Sequence, residues 1–555
     1  MIDIPEFQEI KLILDKEIDE LSDTGQKALA LIGLLANQPF KKNVIADVME
    51  IKSPITTANI LRELVDLRLL LYHENDDLYQ LGHSLIYTYA QGRADLYGRR
   101  YKTQIVNKLI EHFFTVLQNV SKNTLPDDEE AHILITLQRV KERYEDDPAA
   151  YKQMIDFVNL LDPFLEAKNE NVKRVKWLEE AYYCAEKMED RLAQADFATR
   201  MGHALGWLGQ LDKALDWMAK VEIALKGNRT SSARQIRARM YIQRSSLYFM
   251  KRDVGTAEKD CLRGLKLSVT ADQRNFAEGC NLLGVIQSIK GNISQALPWF
   301  EQSRKNWEAL KNEYEMARVD DNISIAHFYL GNIAQSCAAG KASLQYWQSD
   351  QRRIEFAMAL TNLGIDYQCQ EKYQKAFKLH KDAITISDRI GVQRIRALTR
   401  VNIAWPCIAL KEFSQAGAYI TESLQIQQEF NVKENWVEAH RAQAEIALGR
   451  KLGAQAFDLA QKALDLARED ENPLEEGAAL RVLGQACHLT GDLAQARQHL
   501  ETSFSLLREN YKYESFLTLQ ALAGLYNETG EPEKAQAAAE NAQTLAKEMG
   551  LRPAE

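Results

Sequence analysis

Small residues recur at a nearly constant interval through the last two thirds of this 555-residue chain. Successive members lie 43, 39, 40, 40, 40, 40, 40 and 39 residues apart, a regularity that chance does not produce. Each stands about five positions after a turn, near the start of a second helix-favouring stretch. The period therefore predicts stacked helix–turn–helix units, which bury their apolar faces against neighbouring units. The members are Ala214, Ala257, Ala296, Ser336, Ala376, Ala416, Ala456, Ala496 and Ala535.

The turn between the two helices of a repeat often carries glycine. Glycine tolerates positive φ, so it can end one helix before a short polar step begins the next. We therefore predict positive φ at five turn glycines, which are Gly209, Gly291, Gly331, Gly491 and Gly530. Four repeats have a different residue where this glycine is expected, namely Arg252, Glu371, Lys411 and Lys451.

Composition supports a helical chain. Only 11 prolines and 27 glycines occur, while alanine, leucine, glutamine, glutamate and lysine dominate, so we predict an all-α fold. The 69 basic and 78 acidic residues are interspersed, and a net charge of −9 gives no global attraction to nucleic acid. No long apolar run or secretion signal occurs, and seven widely spaced cysteines suit a reducing compartment, so a cytoplasmic location away from membranes is expected.

The repeated text resembles the tetratricopeptide repeat, most clearly in AEGCNLLGVIQSIKGNISQALPWFEQS (277–303) and GAALRVLGQACHLTGDLAQARQHLETS (477–503). The resemblance covers about residues 191–550. A period of about 40 resembles the longer-helix repeats of kinesin light chains, bacterial peptide-sensing regulators and the sensors of signalling (STAND) ATPases. It implies a right-handed superhelical α-solenoid of about nine repeats.

The amino-terminal part of the sequence has a different pattern. Three helical segments, TGQKALALIGLLA, KKNVIADVM and PITTANILRELVDLRLL, precede two short apolar runs around an acidic turn in LLYHENDDLYQL. This order resembles a winged helix, and its place ahead of a repeat array resembles that in NB-ARC (STAND) ATPases. The third helix offers only Arg62 and Arg68 to DNA, while the wing carries Glu74, Asp76 and Asp77. We therefore favour a structural or regulatory role over DNA binding.

His83 matches the histidine of the Met-His-Asp motif that contacts the β-phosphate of ADP in that family, although its neighbours here are Gly82 and Ser84. The resemblance implies a remnant of nucleotide sensing, with a nucleotide-binding domain possible in cis or in trans. No G-x-x-x-x-G-K-[ST] motif occurs in the chain. The alternative is a histidine that only starts a helix.

These observations divide the chain into five predicted segments. A leading helix at 1–20 precedes a winged-helix domain at 21–95. Helical connecting or capping pairs at 96–190 then cover the end of the repeats at 191–550, and a disordered tail at 551–555 follows.

We find no pattern that carries chemistry. Metal-binding, nucleophile-elbow and dinucleotide-binding motifs are all absent from the sequence, and the ten histidines are scattered. We therefore expect no enzymatic activity, no catalytic residue, no cofactor and no metal.

Asparagines recur in three successive first helices, at Asn322, Asn362 and Asn402. An evenly spaced row of amides can hold the main chain of an extended peptide, and related repeats use asparagines in this way. Alternatively, these asparagines link adjacent repeats. The other predicted groove residues are Arg318, Phe328, Gln368, Trp405, Arg441 and Arg481, of which the last two would attract an acidic group.

The leading hypothesis is a protein- or peptide-binding scaffold or sensor whose repeat groove recognises a peptide or protein segment in signalling or regulation. The resemblance to STAND proteins implies that such a chain can be the sensor part of a STAND-type protein. One alternative is a transcription regulator whose winged helix binds DNA while the repeats sense an inducer. The other is a sensor of a small molecule such as a sugar.

Overall fold

The computed structural model describes residues 13–119, 127–144, 147–268, 272–350, 353–432 and 435–551. The chain forms two compact units, Met1–Leu247 and Tyr248–Glu555. Of the predicted leading helix, residues 13–18 are helical and residues 1–12 lie outside the described part. Of the predicted tail, only Leu551 is described.

The first unit contains, near its start, a small region of three helices and three strands (23–81), which we call the mixed region. Helix α1 (Asp23–Ile32) starts behind Ser22, whose Oγ accepts a hydrogen bond from the Gly25 N–H at 3.0 Å. Next come β1 (Phe40–Lys41), α2 (Lys42–Val48), α3 (Pro54–Asp66), β2 (Leu70–His73) and β3 (Leu78–Leu81). Strand β3 is central and pairs antiparallel with both β1 and β2.

Helices make up the described remainder of this unit. They are α4 (Ser84–Leu96), α5 (Gly98–Asn119), α6 (Asp127–Lys141), α7 (Ala149–Ala167), α8 (Asn171–Lys187), α9 (Arg191–Trp207), α10 (Leu211–Ala224) and α11 (Ser231–Met250), the last crossing the boundary between the units.

Two histidines join the mixed region to the helices that follow it. The ring of His132 lies between the Ala36 N–H, 3.1 Å from Nδ1, and the Pro39 carbonyl, 2.9 Å from Nε2. His112 Nδ1 lies 2.8 Å from Asp47 Oδ2. One continuous apolar core extends from residues of the mixed region to α11, so the described part of this unit folds around a shared interior.

The second unit is a tetratricopeptide-type α-solenoid. After α12 (Val254–Ser268), its described helices alternate as the first and second members of seven pairs. They are α13 (Gln273–Ile289), α14 (Ile293–Ala309), α15 (Glu313–Tyr329), α16 (Ile333–Asp350), α17 (Arg353–Cys369), α18 (Tyr373–Ile390), α19 (Gln393–Ala409), α20 (Phe413–Glu429), α21 (Trp436–Gly449), α22 (Gly453–Glu469), α23 (Pro473–Thr490), α24 (Leu493–Leu507), α25 (Lys512–Glu528) and α26 (Pro532–Glu548).

Every recurrent small residue is buried, with at most 3% of its surface exposed. Each occupies the first turn of a second helix, where it lets the paired helix approach. The approach is close: a Cβ added to Gly284 on α13 would lie 2.5 Å from the ring of Phe300 on α14. The repeat prediction is therefore confirmed by packing.

All five predicted turn glycines have positive φ, between +72° and +88°. The four residues that replace glycine adopt the same left-handed conformation, with φ of 62° at Arg252, 57° at Glu371, 63° at Lys411 and 61° at Lys451. The turn geometry therefore belongs to the repeat, whichever residue occupies the position. Among the described residues, no helix is long and apolar enough to cross a membrane.

Candidate functional site

The first helices of successive pairs, α13, α15, α17, α19, α21, α23 and α25, contact one another along the second unit. We call the row of side chains that they contribute near residues 281, 322, 362, 405, 441 and 481 the inner face. It contains most of the groove residues predicted from the sequence.

The three predicted asparagines have different surroundings. Asn322 Nδ2 donates to Asn281 Oδ1 at 2.8 Å, which links two neighbouring first helices. Asn362 is half-buried and has no side-chain hydrogen bond among the described residues. Asn402 is 9% exposed and donates to the Leu398 carbonyl of its own helix at 3.0 Å. Asn281 and Asn322 thus contact each other, Asn362 lies 40 residues further on the next first helix, and the Asn402 amide is bonded to its own helix.

Sequence reasoning missed Asn281. It lies 41 residues before Asn322, so it falls one position outside the strict period of 40. A search that allowed one residue of slippage between repeats would have found it.

Two further predicted residues flank this row. Arg318 is exposed and pairs with Glu315 of its own helix at 2.9 Å. Gln368 is half-buried, and its Oε1 is buried without a hydrogen-bond partner in the described part of the chain. A buried amide oxygen in this condition has lost its hydration and gained no replacement, which costs about 1–3 kcal/mol.

Arg441 and Arg481 are buried, with exposed fractions of 8% and 4%. Arg441 Nε lies 3.0 Å from Glu475 Oε2, and Arg481 binds Glu445 at 2.8 Å and Glu514 at 3.1 Å. Arg441 also lies 3.6 Å from Glu514. We call these five residues the charge cluster. Both guanidinium groups are satisfied by the chain's own carboxylates, so an external acidic group would have to displace one of them.

Three carboxylates surround two guanidinium groups in this cluster, and the pKa values of two of these carboxylates shift in opposite directions. Burial raises the pKa of Glu475 to about 7, with Arg441 opposing the shift and Glu438 adding to it. Burial would also raise the pKa of Glu514, but Arg481 and Arg441 hold it below its ordinary value. Protonation of Glu475 would therefore relieve the excess negative charge.

Trp405 and Phe328, the predicted aromatic groove residues, both make contacts within the unit. The Arg441 guanidinium lies 4.4 Å from the centre of the Trp405 ring, a cation–π contact that adds to the burial of the charge cluster. The Phe328 ring lies 6.4 Å from that of Tyr513 on α25. Both side chains are therefore partly covered by contacts within the unit.

The contact at Phe328 is part of a junction between early and late repeats. Tyr329 packs edge to face against Tyr511, with ring centroids 5.5 Å apart. Ile333, Cys369 and Met549 are each no more than 3% exposed and share one apolar cluster with Phe328 and Tyr513. We call this set the closure. It joins α15, α16 and α17 to α25 and α26.

His83 lies in the first unit, at the start of α4. It is exposed, and its Nδ1 accepts a hydrogen bond from the Leu85 N–H at 3.1 Å. This is the local role of a helix-capping residue. Within the described residues, no group of three or more His, Cys, Asp or Glu side chains could hold a metal ion.

Comparison with known proteins identifies one repeat directly. The family model described as Tetratricopeptide repeat matches residues 356–390, which cover most of α17 and all of α18. No curated protein matches the sequence.

Solved structures with a similar arrangement of helices include a STAND protein with a tetratricopeptide repeat sensor from Pyrococcus horikoshii. It is 14% identical, with 76% of this chain and 66% of that chain covered and a TM-score of 0.43. A Rap protein complexed with Competence and Sporulation Factor is 13% identical (65% and 99% covered, TM-score 0.46). The apo form of the quorum sensor NprR from B. thuringiensis is 15% identical (65% and 99% covered, TM-score 0.46). At these values the similarities carry no conclusion about function.

Proposed function

We propose that this chain is a protein- or peptide-binding scaffold or sensor, and that the inner face of its second unit holds an extended peptide. The observation that carries the proposal is the row formed by Asn281, Asn322 and Asn362 on three successive first helices. An extended peptide presents N–H and C=O groups at regular intervals, and an amide side chain can satisfy either kind. Asn362 has this capacity fully available among the described residues.

Other amide groups on the inner face also have hydrogen-bonding capacity left for a peptide. Asn322 donates one hydrogen bond to Asn281, and no other hydrogen bond of its side chain occurs among the described residues. The buried Oε1 of Gln368 on the same helix as Asn362 lacks a donor, which a peptide N–H could supply. The match to the tetratricopeptide repeat covers the helix pair that carries both residues, and such repeats commonly present their first helices to a ligand.

The first unit would pass the bound state to a partner domain. The order α1, β1, α2, α3, β2 and β3, with antiparallel pairing around β3, supports the proposal that residues 21–95 are a winged-helix module. The exposed acidic residues of its hairpin, Glu74, Asp76 and Asp77, would repel a phosphate backbone, which favours a protein partner over DNA. His83 is exposed, so a nucleotide-binding domain in cis or in trans could contact its ring.

Selection from a library of random peptides tests the proposal. Peptides are selected on the immobilised full-length chain, and their affinities are then measured for wild type and for the double variant Asn322→Ala, Asn362→Ala. Because two amide contacts would be lost, we expect affinity to fall about tenfold or more. Asn402→Ala is the matched control, since its amide is bonded to its own helix, and we expect it to bind like wild type.

Three results would contradict the proposal or favour one of its alternatives. Selected peptides that bind the double variant as tightly as wild type would contradict a role for the asparagine row. A library that yields no binder would contradict peptide recognition, and a thermal-shift screen with metabolites would then test the small-molecule alternative. A shift of labelled DNA by the chain at low salt would favour the regulator alternative.

A further inference from the structure

The closure brings a short segment of the chain against residues of the inner face. Tyr511, Lys512, Tyr513 and Glu514 form the entry to α25. Tyr511 packs on Tyr329, and Tyr513 lies against Phe328. Glu514 reaches both Arg481, at 3.1 Å, and Arg441, at 3.6 Å. Two aromatic rings and one carboxylate of this segment are therefore bound by earlier repeats.

We infer that this segment, residues 511–514, is an internal ligand of the inner face, and that the external partner carries the same chemistry: a peptide with aromatic side chains next to a carboxylate. This inference rests on the proposed function. Two buried guanidinium groups recognise the carboxylate, and the rings of Phe328 and Tyr329 recognise the aromatic side chains.

The balance of charge explains why the segment and a partner would compete. The charge cluster already holds three carboxylates for two guanidinium groups, so a fourth carboxylate cannot enter beside Glu514 without an uncompensated buried charge. A peptide carboxylate with aromatic neighbours would take the place of Glu514, because Glu514 is the carboxylate of the cluster that lies next to aromatic side chains bound by earlier repeats. Departure of Glu514 also moves Tyr511 and Tyr513, since they lie within one turn of it.

The local backbone adds a steric reason. Gly331, at the turn after Tyr329, has φ of +77°, and a Cβ at this position would lie 2.8 Å from both Lys512 Cδ and Met549 Cγ. The entry to α25 thus lies directly on an early turn of the solenoid. While this contact is made, Tyr513 and Tyr511 cover part of the Phe328 and Tyr329 rings, and a ligand that packs on the same ring surfaces must displace them.

A capped decapeptide of residues 509–518, labelled with a fluorophore, tests the inference by anisotropy with the full-length chain. The receiving proteins are wild type and the variant Tyr511→Ala, Tyr513→Ala, Glu514→Gln, in which the internal segment has lost its rings and charge. We expect the decapeptide to bind the variant at least about tenfold more tightly than wild type. The same decapeptide carrying the three substitutions is the control and should bind neither protein.

The inference would be overturned if the decapeptide bound both proteins with equal affinity. It would also be overturned if the control peptide bound the variant as tightly as the decapeptide does. If the triple variant does not fold by circular dichroism, Glu514→Gln alone replaces it, because this change preserves side-chain shape. A library-selected peptide that depends on Asn322 and Asn362 is measured in parallel. If it binds the variant while the decapeptide does not, the internal-ligand inference alone fails; if no such peptide exists, the proposed function fails.

Discussion

Tyr329 and Tyr511 pack edge to face, with ring centroids 5.5 Å apart and ring planes at 88°, although four helix pairs separate their helices along the chain. In a repeat array, each unit ordinarily contacts only its neighbours, so the ends fray independently. This contact joins an early repeat to the last one. The closure therefore makes the second unit more cooperative than a linear stack.

Hydrogen exchange tests this consequence. Replacing Tyr511 and Tyr513 by alanine removes the contact between early and late repeats, so we expect the amides of α25 and α26 to exchange about tenfold faster while those of α18 and α19 do not change. Phe430→Ala is the control, because Phe430 is 46% exposed and lies outside the closure. A uniform increase along the unit, or none, would contradict a stabilising role of the closure.

His380 is fully buried against Gly364, and neither ring nitrogen has a hydrogen-bond partner among the described residues. In the repeat 120 positions later, Leu500 packs against Gly484 in the same way. We expect His380→Leu to raise the free energy of unfolding at pH 7 by about 1–2 kcal/mol, because it removes buried polar atoms that lack partners. The matched reverse change, Leu500→His, should lower it.

The same histidine gives a pH dependence. Burial lowers the pKa of His380 to about 3. Above the ordinary histidine pKa of 6.5 this shift costs no stability, and the cost increases as pH falls from 6.5 toward 3, because the unfolded chain then binds a proton that the folded chain excludes. Urea unfolding at pH 7 and pH 5 should show a larger gain from His380→Leu at pH 5. An equal gain in the free energy of unfolding at pH 7 and pH 5 would show that the shifted pKa of His380 does not contribute.

Lys411 occupies a left-handed turn position, with φ of 63°, where other repeats have glycine. Lysine is strained in this conformation, and glycine is not. We expect Lys411→Gly to raise the free energy of unfolding by about 0.5–1 kcal/mol, measured by urea denaturation. Gly491→Ala, the reverse change at an equivalent turn with φ of +88°, should lower it by about 1 kcal/mol. If both substitutions changed the free energy of unfolding in the same direction, backbone strain at these turns would not be its cause.

Glu475 gives the second unit a pH dependence of opposite direction. Because burial raises its pKa, to about 7, the folded chain binds a proton more readily than the unfolded chain. This contribution is present at low pH and is lost as pH rises through 7. Glu475→Gln should therefore make the free energy of unfolding fall less between pH 5 and pH 8 than it does in wild type. An unchanged difference between the two pH values would show that Glu475 does not titrate there.

The repeats could be predicted from the sequence because their determinants are local. Ala376 and Ala416 are small where two helices meet, and Gly291 has positive φ at a turn; each depends on residues within one repeat. The same logic led to the hypothesis that Asn322 and Asn362 bind a peptide. Periodicity also extended the row to Asn402, whose amide the structure turns back onto Leu398.

The charge cluster and the closure could not be predicted in this way. Arg441 reaches Glu475 and Glu514 because of the rotation between successive repeats, and Tyr329 meets Tyr511 only after small rotations have accumulated over several pairs. The total rotation over several repeats cannot be predicted from the residues of any one repeat. Sequence reasoning therefore identified Arg441 and Arg481 as inner-face residues but not their ion pairs with Glu475 and Glu514, which lie in later repeats.

Photo-cross-linking is the most direct test of a peptide-binding inner face. A library-selected peptide carrying a photoreactive phenylalanine is irradiated with the full-length chain, and the attachment sites are read by mass spectrometry. We expect adducts in α13, α15 and α17, at or near the row of Asn281, Asn322 and Asn362. Adducts confined to residues 23–96 of the first unit, or to the second helices of the repeats, would contradict it.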